Sequence, residues 1–190
     1  MNVSELIAHS IRHSAVEVFS TMMSVELAPQ EATVEPPGSA PNDGVVSFIG
    51  LAGSWVGTGS IVCSPTLACR ICSQFLQTTA EAVDEEVLDA IAEVTNMIIG
   101  CVKNELEREL GPLGLSIPTV IYGRNFKTKS AGNAEWVVER FGWEDEILLV
   151  KLCLAPNEKV ARPGAHPAGH SHAMDNEALR LTPTGNGEAA

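Results

Sequence analysis

Glu93 and Asn96 are the two residues of this chain whose types and spacing best suit chemistry. They stand three apart in the stretch Asp84-Glu85-Glu86-Val87-Leu88-Asp89-Ala90-Ile91-Ala92-Glu93-Val94-Thr95-Asn96-Met97-Ile98-Ile99-Gly100. Residues three apart on a helix are surface neighbours. A carboxylate accepts hydrogen bonds, whereas an amide both donates and accepts and does not titrate. Such a pair is suited to positioning by hydrogen bonds. The spacing alone is not specific, because E-x-x-N arises by chance in roughly half of chains this long. Read alone, the pair also fits an ordinary solvated helix face.

The surrounding pattern adds to the case. At about 100° per residue, residues 84–110 divide into two sides. Val87, Ile91, Val94, Ile98 and Val102 form an apolar stripe, while Asp89, Glu93, Asn96, Gly100, Lys103 and Glu107 share a narrow opposite arc flanked by Met97. Asparagine is a mediocre helix former because its amide competes for backbone hydrogen bonds. A mid-helix glycine costs about 1 kcal/mol relative to alanine. One turn beyond Asn96, Gly100 would let another surface come close, which reads as a docking face. Close helix packing is the other explanation for that glycine.

The elements that must hold this helix follow from periodicity. Asp84 can cap it, Glu85 and Glu86 suit the positive end of its dipole, and Gly111-Pro112 stops it after Leu110. Val3–Met23 reads as an amphipathic helix, with Leu6, Ile7, Ile11, Ala15, Val18, Phe19 and Met22 at helical spacing. A short strand is expected near Ser24–Leu27, then a proline-rich loop reaching Asp43. Residues 45–51 and 55–62 are rich in β-branched types around Ala52-Gly53-Ser54, which predicts an antiparallel hairpin. Pro65–Leu76 reads as a helix with proline in its first turn. Three further strands are expected at Ile117–Phe126, Trp136–Phe141 and Ile147–Leu154, with a turn at Gly142–Asp145 between the last two. The sum is an α+β domain over residues 1–155, with long helices layered on a largely antiparallel sheet. Residues 156–190 read as a disordered tail.

Composition narrows the function. The 190-residue chain carries a formal charge of −12, which disfavours nucleic-acid and membrane-surface roles. Aromatic residues are only 5%, too few for a base-stacking platform. No apolar run approaches the roughly 20 residues that span a bilayer. Met1–Glu5 lacks a basic segment followed by an apolar one, and the five cysteines lack a disulfide-scaffold spacing. A cytoplasmic location is therefore expected. Cys69 and Cys72 form a C-x-x-C inside a helical pattern with no second pair nearby, which reads as small buried hydrophobes. His166, His170 and His172 could hold a metal weakly but fall in the tail, and no metal site is assigned to them.

The stretch 84–100, with Glu, two residues, Asn and a glycine four residues later, closely resembles the signature helix of the CheC/CheX/FliY chemotaxis phosphatases. Ile49–Gly53 and Gly57–Val62 resemble that family's glycine-bearing hairpin. Leu115-Ser116-Ile117-Pro118-Thr119-Val120 resembles the start of the strand that follows its signature helix. The likeness spans about residues 3–155. The first helix carries no second Glu-x-x-Asn, which places the chain nearest the CheX type.

The resemblance implies a CheC/CheX-like fold and a phosphatase acting on the aspartyl phosphate of a CheY-like response regulator. Asn96 would position the attacking water, and Glu93 would pair with the receiver's active-site lysine. Asp89, Met97, Gly100 and Lys103 would form contact surface. It implies no cofactor of the chain's own, because the receiver supplies Mg²⁺, and a homodimer presenting two sites. A dimeric module that binds or sequesters a response regulator without hydrolysis, or that scaffolds a signalling complex, would use the same face. Residues 30–43 and the tail are candidates for partner selection with no motif to decide between them.

Overall fold

The computed structural model describes residues 2–36, 42–126 and 134–158. The tail beyond residue 158, with its three histidines, and residues 37–41 of the proline-rich loop lie outside the described residues.

Helix α1 (Val3–Met23) opens with a capping box: the Asn2 side chain accepts from the Glu5 N–H at 2.8 Å, and Glu5 accepts from the Asn2 N–H at 3.1 Å. Two short strands follow, β1 (Ala28–Pro29) and β2 (Thr33–Glu35), and then the hairpin β3 (Asn42–Gly53) and β4 (Trp55–Cys63). Helix α2 (Pro65–Leu76) is capped by Ser64, whose Oγ accepts from Leu67 N–H and donates to Glu146 Oε2 at 2.7 Å. The long helix α3 (Glu85–Leu110) precedes β5 (Leu113–Leu115), β6 (Thr119–Phe126), β7 (Trp136–Trp143) and β8 (Glu146–Pro156).

The strands form one sheet in the order β1-β7-β8-β4-β3-β5, with β2 also on β7 and β6 also on β3. Every pairing is antiparallel. Strand alternation sorts side chains to two faces. On one face Val45, Ile49, Ile61, Val150, Leu152 and Phe141 share a core with Ile11, Phe19, Leu67, Ile91 and Ile98 of the helices. On the other, Trp136, Val138 and Cys153 form a small separate cluster. The architecture is thus helices layered on an antiparallel sheet, as the periodicity predicts.

Cys69 and Cys72 are buried on α2, and burial pushes both thiols up. Cys63, buried on β4, is pushed up to about 12, chiefly by desolvation and then by the carboxylate of Glu146. These thiols pack as small hydrophobes.

Two expectations fail at short elements. Ser24–Leu27 is not a strand. Ser24 is the left-handed cap of α1 (φ 56°), and its N–H and that of Val25 are spent on Phe19 O. Val25 and Leu27 are buried in alternation with Glu26, so the pattern is real, but pairing begins only at Ala28. The expected strand Ile117–Phe126 starts later, at Thr119, and β5 precedes it, joined to the end of β3 by Leu51↔Leu115. Between them Ser116-Ile117-Pro118 leaves the sheet. The turn near Gly142 is also shorter than expected, because β7 runs on to Trp143 and pairs with Glu146.

Candidate functional site

Helix α3 is fixed at both ends. Asp84 accepts from Val87 N–H at 3.0 Å at its start, and Gly111, at φ 81°, returns its N–H to Glu107 O at its end. At 26 residues it is about 39 Å long. Val87, Ile91, Val94, Ile98 and Val102 are all buried, as the stripe requires. Ala90, Thr95, Ile99 and Leu106 widen that buried face. Thr95, lying between Glu93 and Asn96 in sequence, satisfies its buried hydroxyl on Ile91 O at 2.7 Å.

The approach of α3 to the sheet is set by a glycine. A Cβ placed on Gly59 of β4 would lie 3.0 Å from three side-chain carbons of Ile99. Glycine there lets Ile99 press against the sheet backbone, and so fixes the depth at which the opposite side of α3 stands.

That opposite side carries the predicted pair. Asp89, Glu93 and Asn96 are exposed, and Met97, Gly100 and Lys103 are half-buried. Among the described residues, the side chains of Glu93 and Asn96 make no hydrogen bond or ion pair, and the same holds for Asp89. Their polar atoms therefore face solvent uncommitted. Lys103 differs: its Nζ pairs with Glu107 at 2.9 Å and donates to Asn104 at 3.2 Å. Glu107 also accepts from Leu113 N–H at 2.8 Å, so this end of the arc ties α3 to β5. Lys103 and then that N–H hold the Glu107 carboxyl below its ordinary range.

Gly100 is decided by its surroundings. A Cβ there would meet only Leu115 Cδ1, at 4.0 Å, which is ordinary contact. Packing within the chain does not require a glycine at this position, so of the two explanations the structure disfavours close helix packing.

The arc lies on an open helix face. Among the described residues, a surface cavity of about 510 Å³ lies beside Arg70, Glu81 and Tyr122, and another of about 530 Å³ lies along His9, Arg12 and Glu17. Neither includes a residue of the arc. Small ligands favour concave sites, so an exposed, uncommitted polar pair on an open face suits a macromolecular partner. No group of His, Cys, Asp and Glu able to hold a metal occurs among the described residues. Among the described residues, no helix is long and apolar enough to cross a membrane.

Sequence reasoning missed the neighbours of the arc. Leu115 lies beside Gly100 through β5, a strand of three residues whose middle one is glycine and whose local pattern is weak. The signal lay in the Leu115–Val120 segment, read only as a strand start.

Comparison with known proteins agrees with this architecture. The family described as "Chemotaxis phosphatase CheX" matches residues 45–141, about half of the chain and inclusive of α3. A CheC-like superfamily protein from Shewanella sp. PV-4 is 28% identical, with a TM-score of 0.71 over 82% of this chain and 99% of its own. Chemotaxis protein CheX from Vibrio vulnificus is 25% identical, with a TM-score of 0.70 over 78% and 99%. The CheX of a CheX–CheY–BeF₃–Mg²⁺ complex from Borrelia burgdorferi is 25% identical, with a TM-score of 0.65 over 77% and 96%. A search of curated proteins returns no match.

Proposed function

Since the chain belongs to the chemotaxis phosphatase CheX family, we propose that it hydrolyses the aspartyl phosphate of a CheY-like receiver domain, using Glu93 and Asn96. The observation that carries this reading is the pair itself. Two adjacent polar side chains stand exposed and uncommitted at the centre of an open helix face, with an unneeded side chain removed one turn away at Gly100. A CheY partner is supported by the Borrelia burgdorferi relative, which is seen in complex with CheY.

An aspartyl phosphate is already reactive, so the catalyst mainly has to place water in line with phosphorus. Asn96 does this by accepting from the water or donating to it, with no protonation state to tune. Glu93 pairs with the receiver's active-site lysine and sets the docked pose. The Mg²⁺ belongs to the receiver, and no covalent intermediate forms on this chain. Asp89, Met97, Gly100 and Lys103 surround the pair as contact surface. A cytoplasmic homodimer presenting two such faces is part of the same proposal.

The test is the decay of a phosphorylated CheY-like receiver, with Mg²⁺, in the presence and absence of the chain. Accelerated decay at substoichiometric chain supports hydrolysis with turnover. Binding without acceleration overturns it in favour of sequestration.

A further inference from the structure

We propose that Ile117 is an apolar anchor through which the phosphorylated receiver docks, extending the contact surface from α3 onto the β5–β6 connection. This rests on the receiver-directed reading above and names a further recognition residue for the same site.

The first ground is what the arc lacks. Its exposed residues, Asp89, Glu93 and Asn96, are all polar, and its one large apolar member, Met97, is half-buried against the core. Protein interfaces draw most of their binding energy from a few apolar or aromatic anchors, with polar contacts fixing the pose. The arc can therefore orient a receiver but has little with which to hold it.

The second ground is how Ile117 is displayed. It is 86% exposed, the most exposed large hydrophobic residue among those described. A lone exposed apolar residue means little by itself. This one is held in place. Ser116 N–H donates to Gly50 O at 2.9 Å, Ser116 Oγ accepts from Gly50 N–H at 2.9 Å, and the same hydroxyl donates to Ile117 O at 2.9 Å. Pro118 follows with its φ fixed by its ring. The serine clamps the segment to β3 and the proline stiffens it, so the isoleucine is presented with little conformational entropy left to lose on binding.

The third ground is continuity. Leu115, two residues before Ile117, is the side chain that a Cβ on Gly100 would touch. A body pressed against Gly100 thus meets Leu115 and then the segment carrying Ile117.

The test uses the full chain with Ile117→Ser and Ile117→Leu. The readouts are KM and kcat for a phosphorylated CheY receiver, Kd for the same receiver loaded with BeF₃⁻ and Mg²⁺, and the oligomeric state by sedimentation. Ile117→Ser is expected to raise KM and Kd together by about tenfold while kcat and oligomeric state hold. Ile117→Leu is expected to restore affinity. Unchanged Kd in Ile117→Ser overturns the proposal. A shift in oligomeric state that accounts for the affinity loss also overturns it and assigns Ile117 to self-association. A wild-type chain that binds the loaded receiver without speeding its decay overturns the hydrolysis reading alone, and the Kd of Ile117→Ser still decides this proposal. A wild-type chain that does not bind the loaded receiver overturns both.

Discussion

Replacing Gly100 with alanine separates stability from docking, because the two are expected to move in opposite directions. The new methyl group meets only Leu115 Cδ1, at 4.0 Å, so the fold accommodates it without strain. Alanine in place of glycine inside a helix is worth about 0.8–1 kcal/mol. For a chain of 190 residues this raises Tm by about 2–4 °C. A receiver packed against the bare backbone of Gly100 must instead accommodate the methyl, and overpacking costs about 1–3 kcal/mol. Receiver-directed kcat/KM should then fall by roughly 5- to 150-fold. Thermal or urea unfolding and phosphorylated-receiver decay on the same sample read both quantities. A variant that is stabilised yet fully active refutes the docking argument. A destabilised variant refutes the argument that this chain has no packing need for the glycine.

Two further predictions concern what holds the site. Gly59→Ala puts a methyl 3.0 Å from Ile99, so it should destabilise by about 1–3 kcal/mol and impair receiver-directed activity by lifting α3, with partial recovery in Gly59→Ala/Ile99→Val; urea unfolding and the decay assay check both. The buried Glu139 of β7 pairs with Arg12 of α1 at 3.0 Å, and burial raises its carboxyl while Arg12 opposes that rise. Arg12→Ala strands the buried charge and should cost about 3 kcal/mol. Glu139→Gln leaves a half-exposed arginine that water can solvate, so at neutral pH it should cost much less by urea unfolding.

The sequence revealed most where local pattern and end signals agree. Helix α3 shows the reason: the stripe from Val87 to Val102 and the stops at Asp84 and Gly111 all point to one element, and its exposed arc follows from the same wheel. The hairpin of β3 and β4 was legible for similar reasons. Strands β1, β2 and β5 were not, because two or three residues carry no period and exist only through their partners on β7 and β3. Ser24–Leu27 misled because alternate burial does not itself require a neighbouring strand. The role of Gly59 under Ile99 needs two elements forty residues apart, and no local window contains both. The exposure of Ile117 was hidden in the same way, since its hydrophobicity argued for a strand while its clamp to Gly50 lies across the sheet.

Whether Asn96 places the attacking water is read by comparing wild type with Asn96→Ala for binding and for turnover of one phosphorylated receiver. Asn96 is exposed and its side chain makes no internal hydrogen bond among the described residues, so its truncation should leave the fold intact. Asn96→Ala is expected to bind the BeF₃⁻-loaded receiver within about threefold of wild type and to lose roughly 100-fold or more of the accelerated decay. An Asn96→Ala chain that still speeds decay as wild type does would show that Asn96 does not place the water, which another residue would then have to do.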